Sequence, residues 1–329
     1  MQALAARFVA VADEVGRLQR GDDAECRFFR GFAEKGHYAG RTQPSDTRQG
    51  IYAVTAGGDL LASINTRDGA QVAAMLETAL ARYAELSPEQ RTGTAAQADE
   101  VAASARRRFE ALYPEDGLVL AVFTRDLPRP RVPRDWRGRA WNQDHAWFRA
   151  DEVRALVPEA EVGAECAVPL PLLHRIVRCH LIDSVRGQTP AHREEDIRHA
   201  QLTVTTRAVE GDVLVLALRG RVRVERHGTW STQGFQPPRE GQSLGFDATL
   251  LGDARFDRKA ARIVAFRLLA AGTRWGGTQF NGRHDDLAPA PMGVAFTLAQ
   301  DGERTAPSLH WVYGWTARPR ADQRKSNSK

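Results

Sequence analysis

The stretch that most constrains this chain runs from Gln49 to Tyr83, QGIYAVTAGGDLLASINTRDGAQVAAMLETALARY. Ile51–Thr55 is a short apolar run bounded by Gly50 and Gly57, the pattern of a buried strand. Gly57-Gly58-Asp59 reads as a tight hairpin turn, because glycine accepts the positive φ that such turns need. Leu60–Asn65 reads as the returning strand. Asp68 stands where a helix N-cap belongs, its carboxylate placed to accept the first free N–H groups. After it, Val72, Met75, Leu76, Ala79, Leu80 and Tyr83 recur along one stripe at helical spacing. Strand, turn, strand and amphipathic helix in that order call for a sheet with a helix laid across it.

The neighbours extend the pattern. Met1–Ala6 reads as the last turn of a helix and Phe8–Val11 (FVAV) as a buried strand. Asp22 and Asp23 precede a helix over Glu25–Lys35, with Cys26, Phe29, Phe32 and Ala33 on its inward side and Gly36 as its terminator. His37–Thr47 is a polar loop. This order resembles the second half of the thioredoxin-like fold family. The resemblance covers about residues 1–86 and implies a partial thioredoxin-like α/β domain related to thiol redox chemistry. That family places a cis-proline before the strand equivalent to Ile51–Thr55; here the place is held by Arg48-Gln49-Gly50. Its C-x-x-C lies in the first half of the fold, for which these residues offer no counterpart. The expectation is a true start upstream of Met1, with the redox cysteines in that segment.

The cysteines of the chain itself, Cys26, Cys166 and Cys179, show neither paired nor zinc-type spacing and read as small buried hydrophobes. No apolar run approaches the ~20 residues of a membrane helix, so no span is expected. The N-terminal residues lack a secretory signal, which makes the sequence as it stands cytoplasmic; an upstream extension would reopen that point. The net charge of +5 is carried partly by Arg318–Lys329, read as a basic disordered tail. No aromatic-basic motif accompanies it, so nucleic acid is not the expected partner; partners are otherwise unassigned. At 329 residues the chain has room for about two domains. Residues 87–116 read as a helical linker, with Ala95–Leu112 as its helix, and residues 117–317 as a second domain.

That second domain reads as α+β, helices first and an antiparallel sheet afterwards. Gly117–Thr124 is a strand pattern, and residues 127–139 are broken by prolines. Ala140–Phe148 packs Asn142, Asp144 and His145 between large aromatics. These three are candidate ligands or an acid/base pair; the alternative is an anchored loop in which Asn142 and Asp144 cap a turn. Pro169–Val185 reads as a helix with His180 on its apolar stripe, and Asp183 and Arg186 three and six residues later. His145, His180 and Asp183 would suit a divalent transition metal, the one cofactor the sequence suggests. Leu202–Val209 and Val213–Arg226 read as a hairpin with a bulge at Gly220 and an arginine ladder, Arg219, Arg221 and Arg223, on one face. Phe246–Phe256 and Arg262–Ala270 read as another hairpin, and Gly293–Leu298 as the closing strand. The loop Arg274–Arg283 adds Arg274, Asn281 and Arg283 to the candidate site residues. Three functions follow: a thiol redox protein, a metal-dependent enzyme acting through the second domain, or a non-catalytic binding or scaffolding protein.

Overall fold

The structure, a computed structural model, describes residues 2–39, 47–66, 68–94, 99–100, 103, 109–130, 132–300, 302 and 304–315. Most of the expected helix over 95–112 and the whole tail 318–329 lie outside the described residues; the end of that helix, Phe109–Leu112, is a 3-10 turn. Helix and antiparallel strand occupy 25% and 36% of the described residues, an α+β composition. The chain divides into two compact units, Met1–Ala111 and Leu112–Lys329.

In the first unit the elements are α1 (Gln2–Ala5), α2 (Val15–Arg20), α3 (Ala24–Ala33), β1 (Ile51–Val54), β2 (Leu60–Ile64), α4 (Gly69–Glu85) and α5 (Pro88–Arg91). β1 and β2 form an antiparallel hairpin turning at Gly58, whose φ of 90° requires glycine. Asp68 caps α4 by accepting from the backbone N–H groups of Ala70 and Gln71. Met75, Leu76 and Ala79 of α4 pack on Ala53, Leu61 and Ala62 of the hairpin. Phe29, Phe32 and Ala33 of α3 form a separate cluster with Tyr52, Val54 and Leu60. The expected strand at Phe8–Val11 is not formed. Phe8 joins the cluster under α4, but Val9 and Val11 are 92% and 83% exposed, because no neighbouring strand pairs with this segment. Arg48 is buried and held by Glu34, while Tyr52 donates to its carbonyl.

The second unit is an eight-stranded antiparallel sheet. Its strands are β3 (Leu118–Asp126), β4 (Trp141–Phe148), β5 (Glu165–Ala167), β6 (Ile197–Glu210), β7 (Val213–Trp230), β8 (Arg239–Asp257), β9 (Arg262–Trp275) and β10 (Ala290–Leu298), with α6 (Ala150–Arg154) and α7 (Leu170–Cys179) between them. The spatial order is β4-β3-β10-β9-β8-β7-β6-β5. Alternation sends Leu214, Leu216, Leu218, Val222 and Val224 of β7 inward and Arg219, Arg221 and Arg223 outward. Leu172, Leu173, Ile176 and Val177 of α7 complete the core against seven strands. One apolar cavity inside this core has a volume of about 30 Å³, far below the ~300–1,000 Å³ of a small-molecule pocket.

Three expectations change here. Trp141–Phe148 is an edge strand rather than a loop, in register with β3 from Leu118↔Phe148 to Arg125↔Trp141. The helix expected over Pro169–Val185 stops at Cys179, where His180 leaves helical geometry at φ −123°. Asp183 and Arg186 therefore lie beyond the helix, and the turn spacing assumed for them does not apply. No bulge occurs at Gly220; the chain is close-packed there, with a Cβ meeting the Gln201 carbonyl oxygen at 2.1 Å.

Candidate functional site: a buried arginine cluster

Where β3 ends, where the chain leaves α7 and where β9 runs into its following loop, charged side chains of the second unit meet. β3 delivers Asp126 at its last position, and Arg129 follows three residues later. The bends after α7 supply Asp183 and Arg186; β9 supplies Arg274, and its following loop supplies Asn281, Arg283 and Asp286. Arg283 makes two forked pairs. Nε and one Nη donate to Asp183 at 2.7 and 2.9 Å, and the two Nη groups donate to Asp126 at 2.9 and 2.7 Å. Arg186 donates to Asp126 at 2.8 Å.

Asp286 is the centre of this arrangement. Arg129 grips it as a fork, at 2.8 Å to Oδ1 and 2.6 Å to Oδ2. The same Oδ2 has Arg274 Nη2 at 2.8 Å, Arg186 Nη1 at 2.9 Å and Arg283 Nη1 at 3.1 Å. Four guanidinium groups thus converge on one oxygen. Arg186 Nη1 and Arg274 Nη2 stand at ion-pair distance without hydrogen-bond alignment, and both are buried with no hydrogen-bond partner. Arg186 Nε, Arg274 Nε and the Asn281 Nδ2 amide are in the same condition. The side chains of Arg186, Arg274 and Arg283 are 0% exposed, whereas Arg129, Asp126 and Asp286 reach the surface at 12%, 15% and 15%. Arg129 and Asp286 also line an open hollow of about 750 Å³, walled by Val132, Leu287, Pro289 and Pro291 and bearing the Arg137–Asp285 pair.

The charges do not balance. Arg129, Arg186, Arg274 and Arg283 bring four positive charges against the three of Asp126, Asp183 and Asp286. Burial opposes ionisation of Asp126, but Arg283 and the charges of Arg186 and Arg274 hold its carboxyl below the usual range. For Asp286 burial is likewise outweighed, by Arg129 and Arg274, and its carboxyl is driven far down. Arg274 is shifted down, first by burial and then by the like charge of Arg283. A cationic excess away from water is costly unless an anion neutralises it.

The remaining candidates form a different group. Asp144 accepts from the backbone N–H of Ser308 at 2.8 Å and from its hydroxyl at 3.0 Å, and His180 Nδ1 lies 3.4 Å from its Oδ2. His180 Nε2 is 2.7 Å from the Tyr313 hydroxyl, which accepts from the Trp147 N–H. Burial opposes ionisation of Asp144, and the contacts to His180, Ser308 and His145 hold its carboxyl low. His180 is 2% exposed, so this chain ties β4 and the end of α7 to residues 308–313 rather than facing a pocket. Asn142 donates to the Ser184 carbonyl. His145 is buried on β4, one residue from Asp144 and so on the opposite side of the strand.

The proposed metal set of His145, His180 and Asp183 is therefore not assembled. Asp183 is committed to Arg283, and among the described residues no group of three or more His, Cys, Asp and Glu could hold a metal ion. Of the candidate residues the structure brings Asp183, Arg274 and Arg283 into the cluster, with Asn281 on the same loop; Asp126, Arg129, Arg186 and Asp286 join them and were not among the candidates. The available signal was a pair of acidic positions, Asp126 directly after Arg125 and Asp286 three residues after Arg283, each just ahead of a proline-rich stretch. Comparison of the chain with protein-family models, with curated proteins and with solved structures finds no match.

Proposed function

We propose that the chain is a binding protein whose second unit recognises an acidic group through the arginine cluster at the hollow. The observation that carries this reading is the convergence of four guanidinium groups within 3.1 Å of a single carboxylate oxygen, beside open space. Guanidinium forks match carboxylate and phosphate geometry, and burial strengthens each contact by excluding water. The test is calorimetric titration of the full chain with citrate and with inorganic phosphate, repeated on Arg129→Ala. Saturable binding of one of these anions that disappears in the variant is expected. No saturable heat with either anion, or equal binding by the variant, contradicts the reading.

A second reading, a thioredoxin-like first unit, draws support from the hairpin packed between α3 and α4 and from the Asp68-capped helix. The thiols of this chain do not serve it: Cys26, Cys166 and Cys179 are unpaired, and burial pushes all three upward in pKa. Insulin reduction by the chain would favour a redox role; its absence leaves the unit as a folding or docking module.

A further inference from the structure

The carboxylate at the centre of the cluster belongs to the protein itself. Asp286 makes the contacts that an external anion would make, and it makes them incompletely. A guanidinium carries five N–H donors, so the four bring about twenty, while three carboxylates offer about twelve lone-pair sites. The surplus appears as the buried, unpartnered Arg129 Nε, Arg186 Nε and Arg274 Nε, and the Asn281 Nδ2 amide is unpartnered as well. Without Asp286 the remaining groups are four arginines and two aspartates, Asp126 and Asp183, a balance of two positive charges. One carboxylate neutralises half of that; a phosphate monoester carries about −1.5 to −2 near pH 7 and brings three acceptor oxygens.

We propose that the cluster is a phosphoryl-binding site held shut by Asp286, and that a phosphate group entering from the hollow displaces the Asp286 side chain. The proposal rests on the anion-binding reading above and adds to it both the ligand class and the gate. The backbone around Asp286 is held by a few local bonds: the Asp286 N–H donates to the Arg283 carbonyl, the Gly276 N–H to the Leu287 carbonyl, and Arg274 Nη1 to the Asp286 and Ala288 carbonyls, so displacement of Asp286 has these bonds to loosen. Asp286 is 15% exposed, so its carboxylate is reached from solvent without opening the sheet.

Two measurements on the full chain test it. In the first, inorganic phosphate and acetate are titrated into wild type and Asp286→Asn, which keeps the shape and removes the charge. Freeing a self-occupied site raises apparent affinity by the inverse of the unoccupied fraction, so phosphate is expected to bind Asp286→Asn at least about tenfold more tightly, with a smaller gain for acetate. Equal phosphate affinity in the two proteins overturns the gate. The anion-binding reading then still stands if Arg129→Ala abolishes binding. Tight phosphate binding by Asp286→Asn with none by wild type also overturns displacement, and no binding by either folded protein removes both readings. The second measurement needs no variant. Saturating phosphate should speed amide hydrogen exchange of wild type over residues 284–288, and unchanged exchange there contradicts displacement even where Asp286→Asn does not fold.

Discussion

His192 is buried at 3% exposure with Nε2 3.2 Å from the Leu181 carbonyl. A carbonyl only accepts, so Nε2 carries a proton, and burial favours the neutral ring. Burial lowers its pKa to about 4, opposed by the hydrogen bond to the Leu181 carbonyl and by Asp196 and aided by the charge of Arg226. The unfolded chain, with a histidine pKa near ~6.5, takes up the proton first on acidification. The stability contributed by neutral His192 is therefore complete above that value and drains away as pH falls towards about 4. The span corresponds to on the order of 3 kcal/mol. His192→Gln, which retains an N–H donor, should flatten the urea-denaturation midpoint between pH 6.5 and 4; an unchanged slope would show that another group titrates there. Asp183→Ala leaves Arg283 buried with a cut fork and should cost about 3–5 kcal/mol in urea denaturation; a loss under about 1 kcal/mol would mean that Asp126 alone satisfies it. The composition of the Arg274–Arg283 loop made its arginines visible in the sequence. Asp286 and Arg129 stand 157 positions apart, and no spacing rule links a strand end to a distant loop.

At the scale of elements, strong periodicity was legible and ambiguous stretches were not. The hairpin Ile51–Ile64, the cap at Asp68 and the alternation of β7 follow from apolar spacing and turn chemistry. Trp141–Phe148 misled because its outer half is exposed while its last four residues are all buried, so no alternation survives in the sequence. Phe8–Val11 has the composition of a buried strand but lacks a partner, and burial is a property of the neighbours. α7 ends where the Leu181 N–H bonds back five residues to the Ile176 carbonyl, a widened C-terminal closure that the apolar stripe running on through Leu181 does not announce. Close packing between strands yields a sharp prediction. A Cβ at Gly272 would lie 2.0 Å from the Asp247 carbonyl oxygen, so Gly272→Val should break the β8–β9 ladder. Circular dichroism and the soluble yield of the variant report the loss of sheet; a native-like spectrum and melting temperature would contradict it.

For the molecule as a whole, the carboxyls of Asp126 and Asp286 sit below their ordinary range, so their contribution to stability is present above about pH 4 and is lost as pH falls further. The second unit should unfold in acid, and high salt should weaken this only slightly, because buried pairs are poorly screened. The thiols should be quiet. Burial pushes Cys179 up to about 12, and Cys26 is fully enclosed, so iodoacetamide at pH 8 should reach Cys166 first and the other two only in urea. Rapid native labelling of Cys26 would reopen a redox role for the first unit. An anion site at the arginine cluster is tested most directly by a crystal structure of the chain grown with phosphate. A phosphate is expected within hydrogen-bonding distance of Arg129, Arg186, Arg274 and Arg283, with the Asp286 side chain turned out towards the hollow. Phosphate bound elsewhere, with Asp286 still held by all four arginines, would contradict it.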